Sequence, residues 1–408
     1  MNIPRIEDVR AAAELLSGQV VRTPTVPSGP LSVATGANVF LKLETLQRTG
    51  SFKDRGALVK LRSLDTESAQ RGVIAVSAGN HAQGVAGHAE RLGIPATIVM
   101  PEGTPFTKIR RTEAFGARVL LQGDTLNAAE PFAHAMAEEH GLTFVHPYDD
   151  PMIVAGQGCV GLEMLEDVAD LDVILSPIGG GGLISGIAIA ARALRPSVEI
   201  VGVETEVFPS MYNAIHDTDR SVGGDTIADG IAVKSPGGLT RDVVGAMVDD
   251  ILVVRESSIE EAVQAMLTEG RVLVEGAGAT PLAALLEHRE RFEGKRVGLV
   301  AAGSNIDPRL LSSVLLRGMS RAGHLARLRV SITDQTGTLA KVAAVIGDAG
   351  GNIVETYHQR MFADVSVKRA ALDVVVETRD RSHAASIVTD LGEAGFPTRW
   401  LAEAAEAS

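Results

Sequence analysis

From Val39 to about Ala302 the sequence alternates between short apolar runs and helical stretches, and this alternation limits the possible folds more than any other feature. VFLKLE, GVIAVS, ATIVM, RVLL, TFVH, DVILSP, EIVGVE, ILVV and RVGLVA are four to six residues long and rich in β-branched side chains. Most of the stretches between them carry apolar residues every three or four positions, as in HAQGVAGHAERLG from His81 and LNAAEPFAHAMAEEHG from Leu126. Strands separated by helices pair in parallel through right-handed crossovers, so an α/β fold with buried sheets is expected. Nine such strands over roughly 300 residues suit two lobes better than one. Aromatic residues are only 3% of the chain, so Ala, Val, Leu and Ile must fill the core, as they do in helix-covered parallel sheets.

After Pro308 the texture changes. LLSSVLLRGMSRAG reads as a helix stopped by Gly323, and a new pattern starts at His324. HLARLRVSI reads as a strand, TGTLAKVAAVIGDAG as a helix, NIVETYHQ and VKRAALDVVVET as strands, SHAASIVTDLGEAG as a helix and FPTRWL as a last strand. The order β-α-β-β-α-β is that of the ferredoxin-like split unit. The sequence thus predicts a large α/β region over residues 1–323 and a small α+β domain over 324–408.

Charge and segment patterns exclude several partners. The 51 acidic residues exceed the 38 basic ones, and a net charge of −13 without an evident basic patch argues against nucleic acid and anionic membranes. MNIPRIEDVRAAAELL reads as an amphipathic helix, not a signal peptide. The 19-residue uncharged run from Val173 to Ala191 holds Pro177 and five glycines, so it reads as strand, turn and helix start rather than a membrane span. The lone Cys159 can form no internal disulfide, which points to a reducing, cytoplasmic setting. His81, His146 and His358 lack metal-ligand spacing and read as loop or helix residues. A small molecule is the expected partner.

Three segments carry chemistry. Ser176-Pro-Ile-Gly-Gly-Gly-Gly-Leu-Ile-Ser-Gly186 follows a strand and opens a helix, where bare N–H groups and the positive helix end attract a phosphate. It has neither the Gly-Lys-Ser/Thr of a nucleotide loop nor the position of a dinucleotide fingerprint. Ser77-Ala-Gly-Asn-His-Ala-Gln-Gly84 also joins a strand to a helix, and its N–H groups with the Asn80 amide suit a carboxylate. In Gln47-Arg-Thr-Gly-Ser-Phe-Lys-Asp-Arg-Gly56, Lys53 sits just inside a helix N-terminus. The positive helix end opposes its charge and favours a neutral, nucleophilic amine. An amine, a phosphate cradle and a carboxylate cradle together are what a pyridoxal-phosphate enzyme acting on an amino acid requires.

On these motifs the chain resembles the threonine ammonia-lyases (threonine dehydratases) of the fold type II pyridoxal-phosphate family over almost its whole length. The resemblance implies a two-lobed, tryptophan synthase β-like catalytic region followed by an ACT regulatory domain. It implies pyridoxal 5′-phosphate as cofactor, with Lys53 of Ser51-Phe52-Lys53-Asp54-Arg55-Gly56-Ala57 as the Schiff-base lysine. Phe52, Asn80, Gly179, Gly180, Gly181, Gly182, Leu183, Gly230 and Glu275 would contact the cofactor, and Ser77, Ala78, Gly79, Asn80 and His81 the substrate. His146-Pro147, Ala155-Gly156-Gln157-Gly158 and Ile227-Ala228-Asp229-Gly230 match further family segments. In the last domain, Asp334-Gln-Thr-Gly-Thr-Leu339 and Gly351-Asn-Ile353 match the ACT pattern, which commonly binds an amino-acid effector. The implied reaction is L-threonine to 2-oxobutanoate and ammonia, with serine to pyruvate as a side activity, in a homodimer or homotetramer.

Three departures qualify the match. Serine racemases resemble this family but carry a second serine at the position of Ala78, so dehydration is expected over racemisation. Glu204 matches one family metal ligand, but Ser210 stands where an Asp is expected, so no tightly held metal of that kind is expected. Ala302 falls where the family usually has a Ser or Cys bonding the pyridine nitrogen, leaving Ser304 as the nearby hydroxyl. An ammonia-lyase for another β-hydroxy amino acid, or a non-catalytic amino-acid-binding regulator, remain the alternatives.

Overall fold

The computed structural model describes residues 3–333, 335–359 and 369–401. The chain divides into two compact units, Met1–Asp307 and Pro308–Ser408. The first holds strands β1 (Thr25–Pro27), β2 (Asn38–Leu43), β3 (Val73–Val76), β4 (Ala96–Met100), β5 (Arg118–Leu121), β6 (Thr143–Phe144), β7 (Val173–Pro177), β8 (Glu199–Thr205), β9 (Asp250–Val254) and β10 (Arg296–Ala301). They form two sheets, a six-stranded one ordered β1-β2-β10-β7-β8-β9 and a four-stranded one ordered β5-β4-β3-β6. All neighbours run parallel except β1, which pairs antiparallel with β2. The smaller sheet is an excursion of the chain between β2 and β7, and that excursion makes the second lobe. The three-residue β1 ends in Pro27 and is not among the apolar runs; such a strand is tolerated at a sheet edge, where a missing N–H breaks no ladder.

The helix Pro151–Asp167 lies between the helices Lys53–Arg62 and Gly182–Leu194, and glycines set both crossings. A Cβ on Gly156 would come within 2.7 Å of Gly56 Cα, and one on Gly186 within 2.4 Å of Gly158 N. Gly84 plays the same part for the helix Asn80–Leu92, where a Cβ would lie 3.2 Å from Lys53 O. These glycines therefore allow close helix packing, whereas the sequence suggests that Gly84 serves a ligand.

Three buried charges, Lys42, Glu44 and Arg55, meet the half-buried Glu163 in the same frame. The Arg55 guanidinium donates to Glu44 Oε1 and Oε2 at 2.8 Å and to Glu163 Oε1 and Oε2 at 2.7 Å. Lys42 Nζ donates to Glu163 Oε2 and to Thr23 O, both at 2.6 Å. Burial alone would raise the Glu44 carboxyl, but Arg55 and Lys42 outweigh it and hold Glu44 below the usual range. The group ties β2 and the turn after it to the helix that starts at Lys53 and to the helix Pro151–Asp167.

In the second unit β11 (Leu325–Thr333), β12 (Asn352–Gln359), β13 (Arg369–Glu377) and β14 (Thr398–Trp400) form an antiparallel sheet ordered β12-β13-β11-β14. Alternate residues Ala326, Leu328, Val330 and Ile332 of β11 pack with Val342 and Ile346 of the helix Thr338–Asp348 and with Ala384, Ile387 and Leu391 of the helix Arg381–Glu393. The element order is β-α-β-β-α-β. The helix Pro308–Ala322 groups with this unit, ahead of the boundary the sequence suggests at Gly323. His358 lies on β12, not in a loop or helix, and Asp334 falls outside the described residues. Among the described residues no helix is long and apolar enough to cross a membrane.

Arg55→Met would leave two carboxylates facing one buried lysine. A destabilisation of about 3–5 kcal/mol is expected, read as a lower urea midpoint of the full-length protein. An unchanged midpoint would show that the four charges do not hold the helix.

Candidate active site

Lys53 is the first residue of its helix, and its Nζ donates to Pro147 O at 2.7 Å with the Phe52 ring centroid 5.1 Å away. An ammonium at a helix N-terminus opposes the macrodipole. Burial pushes the Lys53 amine down to about 8, with the nearby Glu275 carboxylate acting in the opposite direction. Roughly a tenth of such an amine is neutral at pH 7, compared with well under a thousandth of an ordinary lysine.

Glu275 immediately precedes the helix Gly276–Glu287. Its Oε1 accepts from Asn80 Nδ2 at 2.6 Å, and Asn305 Nδ2 in turn donates to Asn80 Oδ1 at 2.5 Å and to Thr49 O at 2.9 Å. The Asn305 bond fixes which way the Asn80 amide faces. Gly303 permits the cluster, since a Cβ there would fall 2.4 Å from Glu275 Oε1. Burial pushes the Glu275 carboxyl up to about 7, against the Asn80 bond and the Lys108 charge. Lys108 Nζ pairs with Asp229 Oδ2 at 3.0 Å, and a Cβ on the adjoining Gly230 would lie 3.5 Å from Glu275 Oε1.

The Ser77–His81 segment joins β3 to the helix Asn80–Leu92. Gly79 N donates to Ser77 Oγ at 3.1 Å, Ala78 is half-buried, and a Cβ on Gly79 would meet nothing within 4 Å. Open space therefore faces the start of this helix. The His81 ring is turned away from that space, with Nε2 2.9 Å from Val145 O. Burial, aided by the Lys53 charge, pushes the His81 imidazole down to about 3. Only the backbone of His81 is left for a ligand.

Gly179–Gly182 follow β7, and Gly182 and Leu183 open the helix Gly182–Leu194. Gly180 to Leu183 are buried, and none of their N–H groups has a partner among the described residues. Buried N–H groups left without partners are costly, so this cluster at a helix N-terminus is built for an anion. Gly181 takes φ +91, and a Cβ on Gly180 would penetrate the Tyr148 ring at 2.2 Å. The hydroxyl of Ser51, two residues before Lys53, is likewise buried without a partner. A reactive amine, orphaned N–H groups and an orphaned hydroxyl fit a group that carries both an aldehyde and a phosphate.

Two residues singled out in the sequence have partners within the protein. Ser304 Oγ donates its proton to Gly50 O at 3.2 Å and keeps its acceptor lone pairs, while Ala302 is buried in the apolar core. Glu204 accepts from Met211 N and Tyr212 N, both at 2.8 Å, and serves the helix Ser210–His216. Tyr148, Asp149, Thr240 and Asn305 are absent from the sequence reading of the site. Only Asn305 carries a signal, because it closely follows the carboxyl end of the central strand β10, where sites gather in parallel sheets.

Residues 16–303 match the pyridoxal-phosphate dependent enzyme family, and the chain belongs to that family. It is an enzyme with an α/β catalytic domain of fold type II that takes pyridoxal phosphate as cofactor. More particularly, it is 40% identical over 396 residues to an L-threonine ammonia-lyase of Thermotoga maritima, covering 97% of this chain and 98% of that one. A catabolic L-threonine dehydratase of Staphylococcus aureus is 42% identical over 327 residues, covering 79% and 94%. Among solved structures, a threonine deaminase from T.th. matches with a TM-score of 0.71 and 39% identity, covering 74% of this chain and 99% of that one. Maize serine racemase matches with a TM-score of 0.73 and 33% identity, covering 78% and 99%.

Because the Glu275 charge raises the Lys53 pKa, Glu275→Gln is expected to move it below its present value of about 8. The check is the pH dependence of Lys53 modification by a small amine reagent in the cofactor-free full-length protein, read by peptide mass. An unmoved or rising midpoint would contradict the coupling.

Proposed function

We propose that the protein is an L-threonine ammonia-lyase, converting L-threonine to 2-oxobutanoate and ammonia and L-serine to pyruvate as a side activity. Such a reaction feeds isoleucine biosynthesis or threonine catabolism. The observation that carries the reading is the Lys53 amine, set near Glu275 and lowered to about 8, in a chain akin to threonine ammonia-lyases along nearly its whole length.

When bound, the cofactor supplies an aldehyde for the substrate's amino group and a ring that disperses the charge left at the α-carbon. Lys53 would hold the cofactor through its amine, and once displaced that neutral amine would take the α-proton. The N–H groups of Gly179–Leu183 would hold the phosphate. In the Ser77–His81 segment Ser77 N donates to Val99 O and Gly79 N to Ser77 Oγ, so the N–H groups of Ala78, Asn80 and His81 would hold the substrate carboxylate and orient the α-proton towards the lysine. Asn80, locked by Asn305 and bonded to Glu275, presents its amide to the ring oxygen, while Phe52 and Gly230 line the ring. Ala78 supports elimination over racemisation, because its methyl group cannot deliver a proton to the opposite face of the α-carbon. The β-hydroxyl would depart as water, the proton it gains balancing the α-proton lost to Lys53, and hydrolysis of the released enamine would consume one water and free ammonia.

The second unit has the β-α-β-β-α-β order of an ACT domain, and we assign it the binding of an amino-acid effector in a homodimer or homotetramer. Purified protein should be yellow, and Lys53→Ala should remove both the colour and roughly a thousandfold or more of threonine turnover; a fully active variant would end the lyase reading. Ala78→Ser should gain measurable interconversion of L- and D-serine on a chiral column, and no gain would mean that another group decides the outcome. Isoleucine or valine is expected to shift the half-saturating threonine concentration of the full-length protein. No shift with either would count against regulation through the second unit.

A further inference from the structure

The segment His146–Asp149, between β6 and the helix Pro151–Asp167, touches both halves of the site. Pro147 O accepts from Lys53 Nζ at 2.7 Å. His146 Nδ1 accepts from Tyr148 N at 3.2 Å and Asp149 N at 2.8 Å, which coils the segment tightly and requires that nitrogen to be unprotonated. The Tyr148 ring packs over Gly180, and its Cβ and backbone lie against Gly182. Asp149 turns the other way, its Oδ2 accepting from Gly238 N and its Oδ1 from Thr240 N, both at 3.1 Å, at the start of the helix Gly238–Met247. Gly237 makes room, since a Cβ there would fall 2.1 Å from Asp149 Oδ1. From this helix the fully buried Thr240 Oγ1 donates to Gly180 O at 2.6 Å.

We propose that Thr240, held by Asp149, is a positioning residue for phosphate recognition: by fastening Gly180 O it aims the free N–H groups of Gly180–Leu183 at the anion. The peptide plane gives the reason. The carbonyl of Gly180 and the N–H of Gly181 belong to one planar unit, so fixing the oxygen on one side fixes the N–H direction on the other. Gly181 is the residue least able to hold that direction alone, because glycine rotates freely and its φ of +91 is imposed from outside. The lysine and the cradle thereby share one support, with Pro147 on the amine and Asp149, through Thr240, on the phosphate side. This inference rests on the reading of Gly179–Leu183 as the phosphate cradle.

The test uses the full-length protein, stripped of cofactor and titrated with pyridoxal 5′-phosphate and separately with pyridoxal, which forms the same bond to lysine but has no phosphate. Thr240→Val, which keeps the shape and removes the hydroxyl, should weaken pyridoxal phosphate binding about tenfold, the effect of one lost buried hydrogen bond, and leave pyridoxal binding unchanged. Thr240→Ser should restore most of the loss. Equal weakening of both ligands, or of neither, overturns the proposal. If Thr240→Val does not fold, Asp149→Asn serves in its place: it loses one of its two N–H bonds and should weaken only the phosphate-bearing ligand, by a few-fold. Failure of the underlying reading gives a different result, since the unmodified protein would then bind pyridoxal phosphate no tighter than pyridoxal.

Discussion

The position of one helical turn governs the cleft, and a buried guanidinium fixes that turn. Arg55, itself fully buried, lies two residues after Lys53 and spends its donors on the buried Glu44 and the half-buried Glu163. Two charges of each sign make the group neutral, which is the condition for keeping it out of water. Leucine or methionine could fill the same volume, but neither is directional. Five donors in a rigid fork hold a helix in rotation as well as in position, and rotation decides whether the Lys53 amine points into the cleft. The Gly56 and Gly156 contact then brings the helix Pro151–Asp167 as near as two backbones can come.

On charge alone, a chain of net charge −13 that binds an anionic cofactor would need a basic pocket. Around the cleft the charges are instead paired, Lys108 with Asp229 for example, and the orphaned N–H groups of Gly180–Leu183 supply the positive potential. Backbone dipoles have a practical advantage here. They neither titrate nor attract competing counter-ions over a Debye length, so the cradle's field stays local and independent of pH. The two groups whose pKa values burial moves towards neutrality, Lys53 and Glu275, can then respond to each other without a strong fixed charge overriding them.

Features with a period or a local signature are legible in the sequence. All nine apolar runs of the first region are strands, and the β-α-β-β-α-β order after His324 appears element by element. The tetraglycine lies between strand and helix as its composition implies. What the sequence hides are contacts between positions far apart in the chain with no local constraint on either side. Asp149 and Thr240 are 91 residues apart, and Asn305 and Asn80 are 225 apart. A glycine in an apolar helix can equally serve a ligand or a neighbouring helix, and only the neighbour decides. Hence the sequence ties Gly84 to a ligand although a Cβ there would press on Lys53 O of the neighbouring helix. The edge strand β1 escapes the sequence because three residues show no alternation and Pro27 argues against a strand.

Threonine deaminase and serine racemase structures overlay on this chain about equally well, with TM-scores of 0.71 and 0.73, so the backbone does not choose between elimination and racemisation. Both outcomes require the α-proton to leave; they diverge in whether a proton can return from the other side before the β-substituent is lost. That choice needs only one acidic hydroxyl, correctly placed. At residue 78 the chain has a half-buried methyl group beside the open space before the helix Asn80–Leu92, and the neighbouring Ser77 hydroxyl already accepts from Gly79 N. Ser77 keeps its own proton free to donate, but it points back along the loop it caps. On the proposed function, deprotonation by Lys53 on one face meets no acidic hydroxyl at residue 78 on the other, and loss of the β-hydroxyl is the course that reading predicts.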